Sequence, residues 1–243
     1  MFFAQKELIF DSFIEIVGDD AYHIARSLRM AVGDNIEIAD GEGSIYDCTL
    51  SEIRDERCVC EVVSVRVADS ESPVEITLFM AYPKGDKLEV VIQKAVELGA
   101  AFIVPFESER CIKKPSADKL DKRLERLNRI AREAAKQCGR ARLPMVSAPL
   151  GFDGMLDAAA KHELSLFCYE GKGAKSLKAT LAELKNIPKS ISVTVGCEGG
   201  FSDKEARAAI ERGLTAVNLG PRILRCETAP SYALSALSYH FEL

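Results

Sequence analysis

Features of membrane and secreted proteins are missing from this sequence. Its 243 residues include no tryptophan, and no apolar run approaches the roughly 20 residues that are needed to span a bilayer. The first residues, Met1–Glu7, lack both the basic segment and the long apolar segment of a signal peptide. We therefore expect a cytoplasmic protein that has no membrane partner.

Cysteine and histidine spacings typical of metal sites are also missing. The eight cysteines are scattered, and only Cys58 and Cys60 are close together, in a C-x-C within a strand-like run instead of the C-x-x-C pairs of zinc sites. His23, His162 and His240 are far apart and share no ligand spacing. We predict that the protein holds no metal and that its cysteines are reduced and mostly buried.

Positive charge is concentrated in one part of the chain. The formal net charge of -5 disfavours a nucleic-acid partner when it is taken alone. Between Arg110 and Arg142, however, twelve Lys or Arg stand against four Asp or Glu, which leaves the other 210 residues at -13. Such a basic block is typical of contacts with phosphate groups, although a solvated helix face has the same composition. Most of the block lies in a long predicted helix, Ala117–Cys138.

Two segments with different patterns divide the chain. Residues 1–70 contain short strands separated by turn residues, with one helix at about Asp20–Met30, and this predicts a small β-barrel-like domain. The polar stretch Asp69–Pro73 is the predicted linker. In residues 74–243 strands alternate with helices, which predicts an α/β fold with a mostly parallel sheet covered on both faces.

Two loops in the second segment concentrate glycine and polar side chains. Gly196–Ser202 and Leu219–Ala229 each follow a short apolar run with the pattern of a buried strand, and α/β folds place ligand sites at the carboxyl ends of strands. Glycines let a flat ligand lie against the backbone, and Ser202 with Glu205 forms a capping box. Turn formation alone would explain one Gly-Gly pair. The second loop adds two arginines, a glutamate and a threonine, so we predict a ligand site.

Motifs of several common enzyme classes are absent. Gly171–Ser176 follows a strand and opens a helix, but it does not have the spacing of a phosphate-binding loop. No G-x-G-x-x-G follows the first strand of the second segment, which disfavours a dinucleotide fold, and no G-x-S-x-G elbow indicates a hydrolase.

The two loops carry a family resemblance. Gly196–Ser202 together with Leu219–Ala229 resembles the small-subunit (16S) ribosomal RNA (uracil-N3)-methyltransferases, a family of the SPOUT superfamily. The family usually has Pro where this chain has Cys197, and it commonly has an Arg before the pair Phe2-Phe3, which this chain lacks. The resemblance covers nearly the whole chain. Further matching segments are Lys94–Gly99, Ser108–Arg110 and Glu133–Arg140.

The resemblance implies a fold and an activity. The implied fold is a C-terminal SPOUT α/β-knot domain with a deep trefoil knot, preceded by a small PUA-like β-barrel domain that binds RNA. The implied activity is transfer of a methyl group from S-adenosylmethionine to N3 of a uridine in 16S ribosomal RNA of the small ribosomal subunit, carried out by a homodimer. Two alternatives remain open: a non-catalytic RNA-binding protein on this scaffold, and a SPOUT methyltransferase that acts on another RNA.

The resemblance also implies roles for particular residues at the cofactor site. Arg225 is predicted to stabilise negative charge on the uracil carbonyl groups. Glu198 or Glu227 is predicted to hold that arginine or to accept the N3 proton, although both could equally be structural. The predicted cofactor-binding residues are Glu170, Gly196, Glu198, Gly199, Gly200, Leu219, Gly220, Arg222, Ile223, Leu224 and Thr228.

A second set of residues is predicted to contact RNA. His23, Arg26 and Arg29 are spaced three residues apart and would share one face of the predicted N-terminal helix, where the family has a similar His and Leu-Arg. An ordinary charged surface helix is the alternative. The basic block and its family-like segments add three more predicted RNA contacts: Arg110, Lys136 and Arg140.

Overall fold

The computed structural model describes residues 1–112, 120–171 and 173–243, and it divides the chain into two compact units. The first unit consists of Met1–Glu71 and Ala135–Leu143, and the second consists of Ser72–Ala134 and Pro144–Leu243. The predicted start of the long helix at Ala117 lies outside the described residues.

The first unit is built on a five-stranded sheet with the order β1-β3-β4-β5-β2. Strand β1 pairs in parallel with β3, and the other neighbours are antiparallel. Two register shifts between β4 and β5 interrupt their ladder, and such bulges bend a strand and increase its twist. The strands are β1 (Phe2–Phe3), β2 (Phe13–Val17), β3 (Asn35–Ala39), β4 (Ser44–Ile53) and β5 (Arg57–Val67), with a short 3-10 helix at Lys6–Leu8.

Apolar side chains at alternate positions of these strands form the core of the first unit. Ile36 and Ile38 of β3 are buried while Glu37 between them is exposed, as expected for side chains that point to opposite faces of a sheet. Cys58 and Cys60 occupy the same kind of inward position on β5. All eight cysteines are free and six of them are buried, which confirms the prediction that they act mainly as small apolar side chains.

The helix predicted at about Asp20–Met30 is only partly correct. Helix α1 (Asp19–Tyr22) continues into a π-helical turn at His23–Ser27, and Arg29 has a φ of 52°, in the left-handed region. A π turn is wider than an α turn, so residues three apart no longer lie above one another. The prediction that His23, Arg26 and Arg29 share one α-helical face is therefore wrong.

The second unit contains a seven-stranded sheet with the order β10-β12-β9-β11-β6-β7-β8, in which every pairing is parallel. This confirms the prediction of an α/β fold with a parallel sheet. The strands are β6 (Glu75–Ala81), β7 (Ala100–Phe106), β8 (Met145–Val146), β9 (Leu164–Cys168), β10 (Lys175–Ser176), β11 (Ser190–Val195) and β12 (Thr215–Asn218). The helices are α2 (Lys87–Glu97), α3 (Leu120–Cys138), α4 (Phe152–Ala159), α5 (Leu177–Ala182), α6 (Asp203–Glu211) and α7 (Thr228–Phe241), and the residues of α3 from Ala135 onward belong to the first unit.

Burial of apolar side chains explains the central strands of this sheet, and a capping box explains where α6 begins. Ile76–Ala81 of β6 and Ile191–Val195 of β11 are buried throughout, as in a central parallel strand covered on both faces. Helix α6 begins with the predicted capping box: Ser202 Oγ accepts from Glu205 N at 3.3 Å, and the Glu205 carboxylate accepts from Ser202 N at 2.9 Å. The parallel strands bring their carboxyl ends, and the loops that follow, to one edge of the sheet.

A buried ion pair joins the two sequence segments of the first unit. Arg140 is 4% exposed, and its Nε and Nη2 lie 3.2 and 2.9 Å from one carboxylate oxygen of Glu71. The other Glu71 oxygen accepts from the backbone N–H groups of Ala141 and Arg142. The Arg140 side chain is thus directed into the protein.

We expect the substitution Glu71→Ala to lower the free energy of unfolding by about 3 to 5 kcal/mol, because it removes the carboxylate that accepts hydrogen bonds from the buried Arg140 guanidinium and from two backbone N–H groups. Glu183→Ala is the control, since it removes the carboxylate of an exposed pair with Lys175 and should cost about 0 to 1 kcal/mol. Urea denaturation of both variants measures the difference. Equal small losses would show that the Arg140 pair does not stabilise the first unit.

Candidate functional site

A pocket of about 630 Å³ lies at the carboxyl edge of the parallel sheet in the second unit. This volume is within the range of about 300 to 1,000 Å³ that is usual for small-molecule sites. Two loops supply most of its wall: the glycine loop, Gly196–Ser202 after β11, and the arginine loop, Leu219–Glu227 after β12. Tyr169 and Glu170, which follow β9, and Lys87, which begins α2, complete it.

All but one of the predicted cofactor-binding residues line this pocket. The exception is Thr228, which begins α7 and whose backbone N–H donates to Arg225 O at 2.8 Å. The lining residues are Glu170, Gly196, Glu198, Gly199, Gly200, Leu219, Gly220, Arg222, Ile223 and Leu224.

Backbone geometry explains why glycine is needed at positions 196 and 200 of the glycine loop. A Cβ at Gly196 would lie 3.1 Å from the Cα of Gly200, and Gly200 itself has a φ of 61°. The Gly200 N–H donates to Cys197 O at 2.9 Å and closes a turn. The loop therefore presents main-chain groups to the pocket, where a side chain would otherwise stand.

Arg110 packs against the glycine loop. Its Nη1 donates to Gly199 O at 2.8 Å, and a Cβ on Gly199 would come within 2.9 Å of the Arg110 Cβ. Arg110 also lines the pocket. The basic block of the sequence indicated a phosphate contact for this residue, and the structure places it at the small-molecule site.

Tyr169 and Asp203 were missed by the sequence analysis. Both line the pocket, and the Tyr169 hydroxyl donates to Asp203 Oδ1 at 2.9 Å. This bond raises the pKa of the Tyr169 phenol. The available signal was position, because Tyr169 directly follows β9 and Asp203 directly follows the glycine loop.

Glu198 and Glu227 meet at Lys87. The Lys87 Nζ lies 3.1 Å from Glu198 Oε1 and 3.2 Å from Glu227 Oε2, and the backbone N–H of Lys84 also donates to Glu198 Oε1. Within the described part of the chain, neither glutamate forms an ion pair or a side-chain hydrogen bond with Arg225. Glu227 does not line the pocket, whereas Lys87 does. Sequence reasoning missed Lys87, although the polar run Pro83–Lys87 after β6 was a signal of the same kind as the two loops.

These contacts keep both carboxylates ionised. Burial raises the pKa of Glu198, but hydrogen bonds from its own backbone N–H, Lys87 and Lys84 outweigh it and hold the pKa below its usual value. The pKa of Glu227 is lowered by its own backbone N–H, by the Cys226 thiol and by Lys87. A lowered pKa makes each group a weak proton acceptor near neutral pH.

Arg222 and Arg225 are exposed and line the pocket. Within the described ranges neither guanidinium has a hydrogen-bond or ion-pair partner. Both are therefore available to a bound molecule, and a guanidinium offers several N–H donors in a fixed plane.

Cys197, the residue at the family's usual proline position, is a buried thiol in the pocket wall. The neighbouring Cys111 thiol lowers the pKa of Cys197, and the pKa of Cys111 is raised in turn. A lowered pKa increases the thiolate fraction of a cysteine, and the thiolate is its reactive form.

In the first unit, two of the predicted RNA-contacting residues lie beside Phe2. The ring centroids of His23 and Phe2 are 6.3 Å apart, and Lys136 Nζ lies 6.0 Å from the Phe2 ring. Lys136 also pairs with Asp20 at 2.7 Å. The structure thus brings His23 and Lys136 into one neighbourhood of the first unit.

The remaining predicted RNA contacts of the first unit are placed differently. Arg26 forms two hydrogen bonds with Asp55, Arg29 has the left-handed backbone described above, and Arg140 is buried against Glu71. A guanidinium that is buried and already paired has little surface to offer to phosphate.

Membrane-spanning helices and metal sites are both absent among the described residues. Among them no helix is long and apolar enough to cross a membrane. The same residues contain no group of three or more His, Cys, Asp or Glu side chains that could hold a metal ion.

Comparison with known proteins gives consistent matches over the chain. A family model described as an RNA methyltransferase domain matches residues 70–238, and one described as an RNA methyltransferase PUA domain matches residues 16–63. The ribosomal RNA small subunit methyltransferase E of Bacillus subtilis is 36% identical over 231 residues, which cover 94% of this chain and 90% of that protein.

Solved structures agree in fold along the full chain. The ribosomal RNA small subunit methyltransferase E of Neisseria gonorrhoeae, bound to S-adenosylmethionine, matches with a TM-score of 0.85 and 30% identity, covering 98% of this chain and 96% of that one. A putative methyltransferase from Legionella pneumophila in complex with the same cofactor matches with the same score, identity and coverage.

The residues of the pocket fit S-adenosylmethionine. Leu219 and Leu224 offer apolar surface of the kind that packs on an adenine ring, the glycine loop offers backbone groups, and Glu170 and Asp203 carry carboxylate oxygens of the kind that accept hydrogen bonds from ribose hydroxyl groups. The family models account for both segments of the sequence, and the relatives match over nearly their full length. The chain therefore belongs to the family of S-adenosylmethionine-dependent ribosomal RNA small subunit methyltransferases, in which a PUA-like domain precedes the RNA methyltransferase domain.

Proposed function

We propose that this protein methylates N3 of a uridine in 16S ribosomal RNA. The observation that carries the proposal is the pocket, because its wall is built from the same two loops whose sequences resemble the uracil-N3 methyltransferases. The near full-length match to a ribosomal RNA small subunit methyltransferase supports the choice of RNA.

The reaction sets three requirements for the protein. The uridine N3 lies on the pairing edge of the base, so the base must be unpaired or extruded before it reaches the pocket. The imide proton must leave, and negative charge that develops on the neighbouring carbonyl oxygens must be stabilised. S-adenosylmethionine supplies an electrophilic methyl group when it is bound.

Arg225 is the residue we propose for charge stabilisation. It is exposed, lines the pocket, and has no side-chain partner among the described residues, so its N–H donors are available to the uracil oxygens. Arg222 on the same loop offers a second guanidinium. Glu198 and Glu227 have lowered pKa values and contact Lys87, which supports the structural alternative for these two residues over proton acceptance.

We propose that the first unit contacts RNA through His23 and Lys136, which both lie beside Phe2, and through Arg26 and Arg29. Arg110 is proposed to contact the substrate RNA at the pocket with the guanidinium nitrogens that it does not use on Gly199. For Arg140, burial favours a structural role over direct contact.

We further propose the domain limits 1–70 and 74–243, a deep trefoil knot and a cytoplasmic homodimer. The knot is supported by the chain path, since β12 lies outside β9 in the sheet, yet α7 after it packs against α2 and central strand β11. Such a return from β12 across the carboxyl edge of the sheet supports the proposed knot. Exposed Tyr232 and Tyr239 on α7 support a dimer contact.

Arg225→Ala tests the proposed chemistry. If the guanidinium stabilises the carbonyl charge, kcat should fall by about 100-fold or more, while the Kd for S-adenosylmethionine changes little. Single-turnover methylation of small-subunit particles measures the loss of catalytic rate, and calorimetry measures the Kd for S-adenosylmethionine.

Arg212→Ala is the matched control, because this exposed arginine pairs with Asp157 and does not line the pocket. An unchanged single-turnover rate in Arg225→Ala would remove this residue from the chemistry. Mapping the methylated nucleotide in 16S ribosomal RNA tests the target itself, and a product other than 3-methyluridine would refute the proposed activity.

Alkylation of Cys197 tests the position of the cofactor. Iodoacetamide should modify Cys197 at pH 7, more slowly at pH 5 because a larger fraction of the thiol is then protonated, and more slowly still when S-adenosylmethionine fills the pocket. Peptide mass spectrometry follows the reaction. Cys60 is the control, since burial raises its pKa to about 12. An alkylation rate of Cys197 that does not change when S-adenosylmethionine is added would contradict the proposed position of the cofactor.

Light scattering tests the homodimer. We expect a mass near twice 26.6 kDa at micromolar concentration. Tyr232→Asp together with Tyr239→Asp should shift the protein to the monomer, because charged carboxylates disfavour an interface core. A monomeric unmodified protein would exclude the proposal.

A further inference from the structure

Lys87 connects the two loops that form most of the pocket. It is the first residue of α2, and its Nζ lies within 3.2 Å of both Glu198 on the glycine loop and Glu227 on the arginine loop. In the described ranges it is the only cation paired with either glutamate. One ammonium group therefore neutralises two carboxylates from segments that are distant in the sequence.

Hydrogen bonds from neighbouring groups fix the positions of the two carboxylates that pair with Lys87. The Lys84 N–H donates to Glu198 Oε1 at 3.1 Å, and the Cys226 thiol donates to Glu227 Oε2 at 3.2 Å. Glu198, Glu227 and Lys87 are 30%, 23% and 37% exposed at their side chains, so they are partly shielded from solvent. Without the ammonium group, two partly shielded like charges would face each other, which favours separation of the loops.

Arg225 is connected to this contact through the backbone. Glu227 is the residue before α7, and the N–H groups of Thr228 and Ala229 donate to Arg225 O at 2.8 and 2.9 Å. Fixing the Glu227 side chain therefore also limits the position of Arg225, which is two residues earlier.

We propose that Lys87 is a positioning residue that holds the glycine and arginine loops at the separation that cofactor binding and Arg225 require. The part that concerns Arg225 rests on the proposed function. The part that concerns the cofactor does not, because it is read from S-adenosylmethionine binding in the absence of RNA.

The first test compares three variants of the full-length protein. Lys87→Met should raise the Kd for S-adenosylmethionine by about tenfold and lower kcat by at least as much, whereas Lys87→Arg, which keeps the charge, should recover most of both. Lys94→Met is the control on the same helix, since Glu97 is the one ion-pair partner of Lys94 among the described residues and Lys94 does not line the pocket. Calorimetry, single-turnover methylation and urea denaturation are measured for each.

The second test asks whether charge is the cause. In Lys87→Met, the added substitutions Glu198→Gln and Glu227→Gln remove the facing charges and should recover cofactor affinity, so the effects are strongly non-additive. Lowering the pH from 7 to 5.5 should also improve the affinity of Lys87→Met, because two facing carboxylates take up a proton above their usual pKa of about 4.3. In the unmodified protein the lowered pKa values predict no such gain.

Several outcomes would overturn the proposal. An unchanged Kd and kcat in Lys87→Met, additive effects in the triple variant, or equal losses for Lys87→Met and Lys94→Met would each do so. If Lys87→Met does not fold, the triple variant decides, since failure to recover folding and affinity there contradicts the repulsion argument. An unmodified protein that binds S-adenosylmethionine but leaves 16S ribosomal RNA unmethylated would refute the proposed function, and the affinity series would still test Lys87.

Discussion

Parallel pairing of the central strands is the constraint on which the rest of the second unit depends. Six consecutive residues of β11 pair with β6, and four pair with β9 on the other side. Because all these strands run in one direction, the loops after β6, β9, β11 and β12 emerge at one edge. A slip of one residue would turn the buried side chains of β11 to the opposite face and move the glycine loop relative to its neighbours.

The features predicted from the sequence have local causes. A few consecutive residues determine each of three features: the alternation of strands and helices, the capping box at Ser202, and the two loops at strand ends. The fold class and most of the pocket wall could therefore be predicted from the sequence. The pairing of Lys87 with Glu198 and Glu227 could not be found in this way, because both glutamates come more than a hundred residues later. Spacing alone also could not distinguish an α-helical turn from the π turn at His23–Ser27.

Ion pairs with distant segments reduce the positive charge that the basic block presents at the protein surface. Its excess of Lys and Arg predicted a surface for phosphate, yet Lys136 is paired with Asp20 and Arg140 with Glu71, both from outside the block. Arg126 is paired with Glu89 in the second unit. A count of charges along the sequence includes these paired groups with the same weight as exposed ones, so it overstates the positive potential that an approaching RNA would meet.

The discontinuity of the first unit has a consequence during synthesis. Met1–Glu71 leaves the ribosome well before Ala135–Leu143, and the chain between them takes on the order of ten seconds to make at typical elongation rates. Until then Glu71 has no Arg140 to pair with, and the N-terminal strands lack the last part of their own unit. The order in which the protein folds at the ribosome is therefore set by the middle of its sequence, and its first-made segment is completed only when more than half of the chain has been translated.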